Sequence, residues 1–217
     1  LIIYVLYILF LSRISDFRIS PSKFGSKPYI IVGKSTQISM LDSYLVSKGL
    51  STEVLREPGS TKVGENIRDI LLNTSADLSN ESELLLMFAA RAQLISEKIN
   101  NSDKDIVLFD RFYDASLAYQ GYGRKISISL IDSLISFIDC PIPDLSILLD
   151  IPVEEGFKRK ENDIKDRIES SSLEFFQSVR DGYLNIANEN NDRFIVINAL
   201  NDIESVHKEI IKNPLLK

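Results

Sequence analysis

Two segments of the chain share one design: "DIVLFD" (Asp105–Asp110) and "LSILLD" (Leu145–Asp150) are each a short apolar run closed by a carboxylate. A run without alternation suits a strand covered on both faces, and the terminal charge is delivered where the strand leaves the sheet. Tyr29–Val32, "STEVL" (Ser51–Leu55) and "RFIVIN" (Arg193–Asn198) are three further strand candidates. Helical patterns separate them: Thr36–Lys48 with Ile38, Leu41 and Leu45 in register, Glu81–Asn100 apolar on nearly every face, Ser127–Ile138, and a charged, interrupted stretch over Glu154–Asn188. "REPGSTKVGENIR" (Arg56–Arg68) reads as a polar loop. Strands alternating with helices predict an α/β fold, a five-stranded parallel sheet covered by helices on both faces in three α/β/α layers.

Length and charge narrow the function. At 217 residues the chain can bury one sizeable core. A net charge of −6 argues against a broad nucleic-acid-binding face, which needs clustered Lys and Arg, but leaves room for a local phosphate site. One cysteine, Cys140, and one histidine, His207, exclude an internal disulfide and a Cys- or His-based metal site and read as structural or surface residues. That cysteine usage suits a reducing cytoplasm. The chain opens on an apolar run, Leu1–Leu11, which is shorter than the roughly 20 residues a bilayer-spanning helix needs. Three readings fit it: a fragmentary export or anchor segment, an extra hydrophobic strand or helix, or upstream sequence translated from a misplaced start. The last is preferred, so residues 1–26 are set apart as an extension outside the fold and residues 27–217 form the domain. No membrane partner is expected unless the extension is genuine.

In parallel α/β sheets, sites gather at the carboxyl ends of the strands. There the sequence places Gly33-Lys34-Ser35-Thr36, Arg56-Glu57-Pro58-Gly59, Asp110-Arg111, Asp150 and Asn198-Ala199. Lys and Arg neutralise phosphoryl oxygens, a carboxylate holds Mg²⁺, and backbone N–H groups at a helix start bind phosphate, so this set suits phosphate and magnesium chemistry. Gly33-Lys34-Ser35-Thr36 is also the back half of a G-x-x-x-x-G-K-[ST] phosphate loop, with Pro28 where the first glycine belongs.

The blocks "LREPGSTKVGENIRDILL", "ESELLLMFAARAQL", "VLFDRFYDASLAYQGYGR", "PDLSILLDIPVEEG" and "DRIESSSLEFF...VRDGYLNIA" resemble, in order and spacing, those of thymidylate kinases of bacterial type. The resemblance runs from about Lys27 to about Ile211 and implies a P-loop nucleoside-monophosphate-kinase fold with a lid, here about residues 157–167. It implies transfer of the γ-phosphoryl group of ATP to dTMP with Mg²⁺, and a homodimer. By resemblance, Asp110 and Arg111 lie beside the dTMP phosphate and the metal, with Ser35 a second metal contact. Gly33, Lys34, Ser35 and Thr36, with Asn198 and Ala199 on the adenine side, bind ATP. Arg56, Glu57, Pro58, Arg68, Met87, Phe88, Arg91, Arg111, Tyr119 and Gln120 bind dTMP, Arg91 at the base and Tyr119–Gln120 closing over the nucleoside. A buried guanidinium on an apolar helix is costly unless it is paired, which suits such a contact for Arg91. Lid arginines Arg159 and Arg167, with Lys158, Lys160 and Lys165 nearby, are candidates to reach the transferred phosphoryl group, and with Lys34, Asp110 and Arg111 they complete the catalytic set.

Three departures from the family pattern stand out. Met87 holds the place of a base-stacking Phe, with Phe88 next to it, and Ala115 replaces a common serine. The phosphate loop is the larger departure: about seven residues between Val32 and Gly33 are missing relative to the motif. Gly25 is a poor substitute for the first glycine, since Tyr29–Val32 would then lie in a solvated anion cradle. Two readings follow, an active thymidylate kinase or a kinase-fold relic that binds nucleotide with impaired catalysis.

Overall fold

The strands form where the apolar runs predict, because Ile106, Val107, Leu108 and Phe109 are all at most 4% exposed, as are Leu145–Leu149. Successive strand residues point to opposite faces, so burial of every one means both faces are covered. The computed structural model describes residues 4–9, 35–74, 77–159, 167–168 and 170–216. Its elements in chain order are β1 (Tyr4–Leu9), α1 (Ser35–Ser47), β2 (Thr52–Arg56), α2 (Lys62–Asn73), α3 (Asn80–Leu94), β3 (Ile106–Asp110), α4 (Tyr113–Ser116), α5 (Ile128–Phe137), β4 (Leu145–Asp150), α6 (Val153–Arg159), α7 (Leu173–Glu189), β5 (Phe194–Asn198) and α8 (Ile203–Ile210). Wider π-helical turns continue α3 over Ile95–Ile99 and α4 over Leu117–Gly123.

The sheet has five strands in the order β2-β3-β1-β4-β5. The pairs β2–β3 and β4–β5 are parallel, with Arg56 opposite Asp110 and Asp150 opposite Asn198. Those two registers set the polar ends of the four strands along one edge. Between the pairs lies β1, antiparallel to both neighbours, with Leu6 opposite Asp110 on one side and Ile147 on the other. The sheet is therefore mixed, which corrects the all-parallel expectation. Within residues 1–26, Tyr4–Leu9 takes the central position in the sheet. The run Tyr-Val-Leu-Tyr-Ile-Leu has no polar alternation to oppose burial on both faces. The expected strand at Tyr29–Val32, with Gly33 and Lys34, lies outside the described residues.

The predicted polar loop is shorter than expected, because a helix starts inside it at Lys62. Thr61 caps α2 by accepting from the Gly64 N–H, and Val63, Ile67, Ile70 and Leu71 recur at helical spacing. The long charged segment does break, into α6 and α7. A Cβ at Gly182 would lie 2.5 Å from the Tyr122 ring, and one at Gly123 would lie 2.6 Å from Phe175. Only glycine at those two places lets α7 lie directly on the π-helical turn Leu117–Gly123. Among the described residues no helix is long and apolar enough to cross a membrane. Cys140 is a free thiol, pushed up in pKa by burial, and His207 packs edge-on against Tyr44.

Asp144, just before β4, is a carboxylate whose Oδ2 has no partner among the described residues, and burial pushes its pKa up to about 9. The folded state thus holds the Asp144 proton more tightly than the unfolded chain does. Its effect is absent below the unfolded pKa and lowers stability progressively as pH rises toward 9. Asp144→Asn is expected to stabilise the protein more at pH 8 than at pH 5, measured by thermal melts. A gain that is independent of pH would sink this assignment.

Candidate active site

The loop after β2 is tied to the end of β3 by the Glu57 N–H, which donates to the Asp110 carbonyl at 2.9 Å. Within that loop the Arg56 N–H donates to Ser60 Oγ, and the Ser60 N–H to Glu65 Oε1, each at 2.8 Å. Arg68 donates to the Pro58 carbonyl at 2.9 Å, and Arg56 to Glu65 Oε2 at 2.8 Å. These bonds bring Arg56 and Arg68 toward the Asp110-Arg111 pair. Burial lowers the Arg68 pKa, and repulsion from Arg56 and Arg111 lowers it further. Burial raises the Asp110 pKa, against the attraction of Arg111, Arg68 and Arg56. Three guanidinium groups around one half-buried carboxylate leave net positive charge at the strand ends, where an anion is stabilised. Arg111 has φ +69°, a left-handed conformation costly for a residue with a Cβ, and its guanidinium lies 5.0 Å over the Tyr119 ring.

Behind this edge is a pocket. Of the expected nucleotide residues, Glu57, Pro58, Met87, Arg91, Arg111, Tyr119 and Gln120 line it. Phe112, Ala115, Ser116 and Ile168 complete its wall. Arg91 is 2% exposed, donates to Glu57 Oε2 from Nε at 2.8 Å and Nη2 at 2.7 Å, and bonds Ser116 Oγ at 3.2 and 3.1 Å. The partner that makes this buried guanidinium tolerable is therefore in the protein itself. Burial raises the Glu57 pKa, opposed by Arg91, and among the described residues Glu57 Oε1 has no hydrogen-bond partner. Tyr119 and Gln120 sit on the π-helical turn, where the Arg124 N–H reaches back to the Tyr119 carbonyl at 2.9 Å. Such a turn changes the direction of successive side chains relative to an α-helix, and nothing in the residue pattern announces it.

Other expected residues lie elsewhere. Phe88 does not line the pocket; it packs with Leu84 and Ile131 in a separate apolar cluster, 4.7 Å beneath the Arg91 guanidinium. Arg159 is exposed and donates to the Ala199 carbonyl at 3.0 Å, joining the end of α6 to the loop after β5. In that loop Asn198 Oδ1 accepts from the Leu200 N–H at 2.9 Å. Arg167 reaches the opposite side: Nε donates to the Leu71 carbonyl at 2.9 Å, and Nη2 pairs with Glu83 at 2.6 Å. Thr36 is exposed in the first turn of α1, which Ser35 opens. Gly33, Lys34, Lys160 and Lys165 lie outside the described residues. Asp150 is held in a two-point bond by Arg180 at 2.7 and 2.8 Å, so its charge serves the scaffold.

Sequence reasoning missed Glu83, although Glu83, Met87 and Arg91 recur every four residues on α3, which places them on one helix face.

The sequence model of the thymidylate kinase family matches residues 32–210. The chain belongs to the thymidylate kinase family. It is 42% identical over 188 residues to the thymidylate kinase of Kosmotoga olearia, covering 85% of this chain and 90% of that protein. It is 45% identical over 193 residues to that of Pelodictyon phaeoclathratiforme, covering 82% and 88%. The crystal structure of thymidylate kinase from Ehrlichia chaffeensis superposes with a TM-score of 0.67 at 34% identity, covering 83% of this chain and 90% of that one. Thymidylate kinases are nucleoside monophosphate kinases, and the fold here is of that P-loop α/β type.

Proposed function

We propose that this protein phosphorylates dTMP to dTDP at the expense of ATP. The observation that carries the reading is the cluster of Arg56, Arg68 and Arg111 around Asp110 at the mouth of a pocket walled by Arg91, Tyr119 and Gln120. A nucleoside in the pocket would place its 5′-phosphate among the guanidinium groups, which neutralise phosphoryl oxygens and orient them for attack. Mg²⁺ fits the donor set: the Asp110 carboxylate takes no hydrogen bond from any described residue, and one carboxylate with phosphate oxygens and water suits that ion. Asp110 would hold it, with Ser35 as the second expected ligand, and the ion would neutralise charge on the transferring group. Lys34 would meet the ATP phosphates, and Arg159 is the lid arginine nearer the Asn198–Ala199 loop proposed for adenine. The reading carries with it a homodimer and a cytoplasmic location. Phe137 at 84% and Ile142 at 70% exposure offer apolar surface that a second copy could cover.

A second reading, a nucleotide-binding relic with impaired catalysis, is favoured by one observation. The strand in the central position runs antiparallel, so it does not lead into α1 as the strand before a phosphate loop must. An assay of ATP- and Mg²⁺-dependent dTDP formation separates the two. Turnover that Lys34→Ala abolishes supports the kinase; no turnover with intact dTMP binding supports the relic. Faster turnover of dUMP or another monophosphate would overturn the substrate assignment.

A further inference from the structure

We infer that Glu83 is a positioning residue that sets the hydrogen-bonding sense of Gln120 in the nucleoside pocket and ties it to the lid-end residue Arg167. This rests on the pocket being the nucleoside site. Glu83 is 1% exposed, yet it meets three residues from two other segments. Oε1 accepts from Gln120 Nε2 at 2.9 Å, and Oε2 accepts from Arg167 at 2.6 Å and Arg124 at 3.4 Å. Burial alone would raise the pKa of Glu83. The Gln120 and Arg167 hydrogen bonds and the charges of Arg124 and Arg167 outweigh it, and the net shift is downward.

An ionised carboxylate only accepts hydrogen bonds, so Gln120 must turn its NH₂ toward Glu83. The amide carbonyl is the end left over. Gln120 lines the pocket, and among the described residues no donor meets its Oε1. The pocket therefore holds a defined acceptor where a free amide would offer either sense. A ligand edge presenting N–H or O–H is favoured there, and one presenting a lone pair is rejected. Arg167 stands at the end of the lid segment and makes the shorter of the two arginine contacts to the same carboxylate, 2.6 Å against 3.4 Å for Arg124. Docking of the lid end and orientation of the pocket amide thus share one group.

The test is equilibrium binding of dTMP and dCMP, without ATP, to the full chain and to Glu83→Gln. The two bases present opposite hydrogen-bonding senses at N3 and at the exocyclic group. The wild type is expected to prefer one of them, and Glu83→Gln to narrow that preference by tenfold or more, because a neutral amide at 83 accepts either orientation of Gln120. An equal loss of affinity for both ligands would reduce Glu83 to a structural role and overturn the inference. A wild type that binds neither ligand removes the nucleoside reading and the inference together. A wild type that prefers dCMP overturns the substrate, while the narrowing still decides the role of Glu83. A measurement independent of variant folding is the NMR signal of the Gln120 side-chain NH₂ in the wild type, which should stay hydrogen-bonded and nearly unshifted when nucleotide binds. A large shift showing donation to the ligand would also overturn the inference.

Discussion

Arg193→Met is expected to destabilise the protein by about 3–5 kcal/mol, the usual cost of leaving one partner of a buried ion pair alone. Arg193 grips both oxygens of Asp114 at 2.9 Å and also reaches Ser146 Oγ at 2.8 Å. Asp114 is 0% exposed, so without the guanidinium it must ionise in a dry site or take up a proton. The loss is a large share of the roughly 5–15 kcal/mol that holds an ordinary domain together, and it should lower the melting temperature by roughly 10 °C. Pairing the change with Asp114→Leu should restore most of it, since removing both charges removes the stranded one. Asp114 belongs to α4, immediately ahead of the turn that carries Tyr119 and Gln120, so the single variant should also bind nucleotide more weakly. Urea unfolding measures the first effect. A loss below about 1 kcal/mol would show that the pair is not what holds α4 to the start of β5.

Among the described residues the largest kinetic effect belongs to Arg111. Arg111→Ala is expected to reduce kcat/KM for dTMP by about 10²–10³, as for removal of one pre-organised donor from charge that develops in a transition state. The residue is held in a left-handed backbone conformation beside Asp110 and over Tyr119, a geometry that carries a steric cost. Arg111→Lys should recover only part of the loss, because a point charge does not reproduce the planar fork. Steady-state rates at saturating ATP decide it, and a change under threefold for the alanine variant would remove Arg111 from the phosphate site.

Most of the framework was legible because it depends on local pattern. The runs Ile106–Asp110 and Leu145–Asp150 are too apolar to be anything but doubly covered strands, and their terminal carboxylates fall at one edge as a parallel register requires. The pocket residues were legible as motif blocks. What the sequence hid was pairing and orientation. Arg91 looked like a cation awaiting a ligand, whereas Glu57, 34 positions earlier, balances it. Arg167 was legible as a lid arginine, but its contact with Glu83, 84 positions earlier, was not. Charge balance of this kind depends on which loops meet in space, and no spacing rule reports it. Phe88 and Met87 differ by one position on a helix, about 100° of rotation, so a motif that names both cannot choose the one that faces the pocket. The helix α2 was missed for a different reason, because Pro58, Gly59 and Gly64 outweighed the apolar spacing that follows Thr61.

The reversed central strand also bears on how such a sheet is assembled. Each parallel pair, β2–β3 and β4–β5, is bridged by its own crossover and can form from sequence neighbours. Strand β1 joins those halves through partners at Asp110 and Ile147, both more than about a hundred residues further along the chain, so both of its pairings are long-range. Closing so distant a contact is entropically the most expensive step in this topology, and until it is made each half presents an open edge to any other strand. Tyr4–Leu9 is in that sense the keystone of the sheet: it hydrogen-bonds together two half-sheets that are otherwise joined across the helical layer, as by α7 on the turn Leu117–Gly123 and by the Arg193–Asp114 pair.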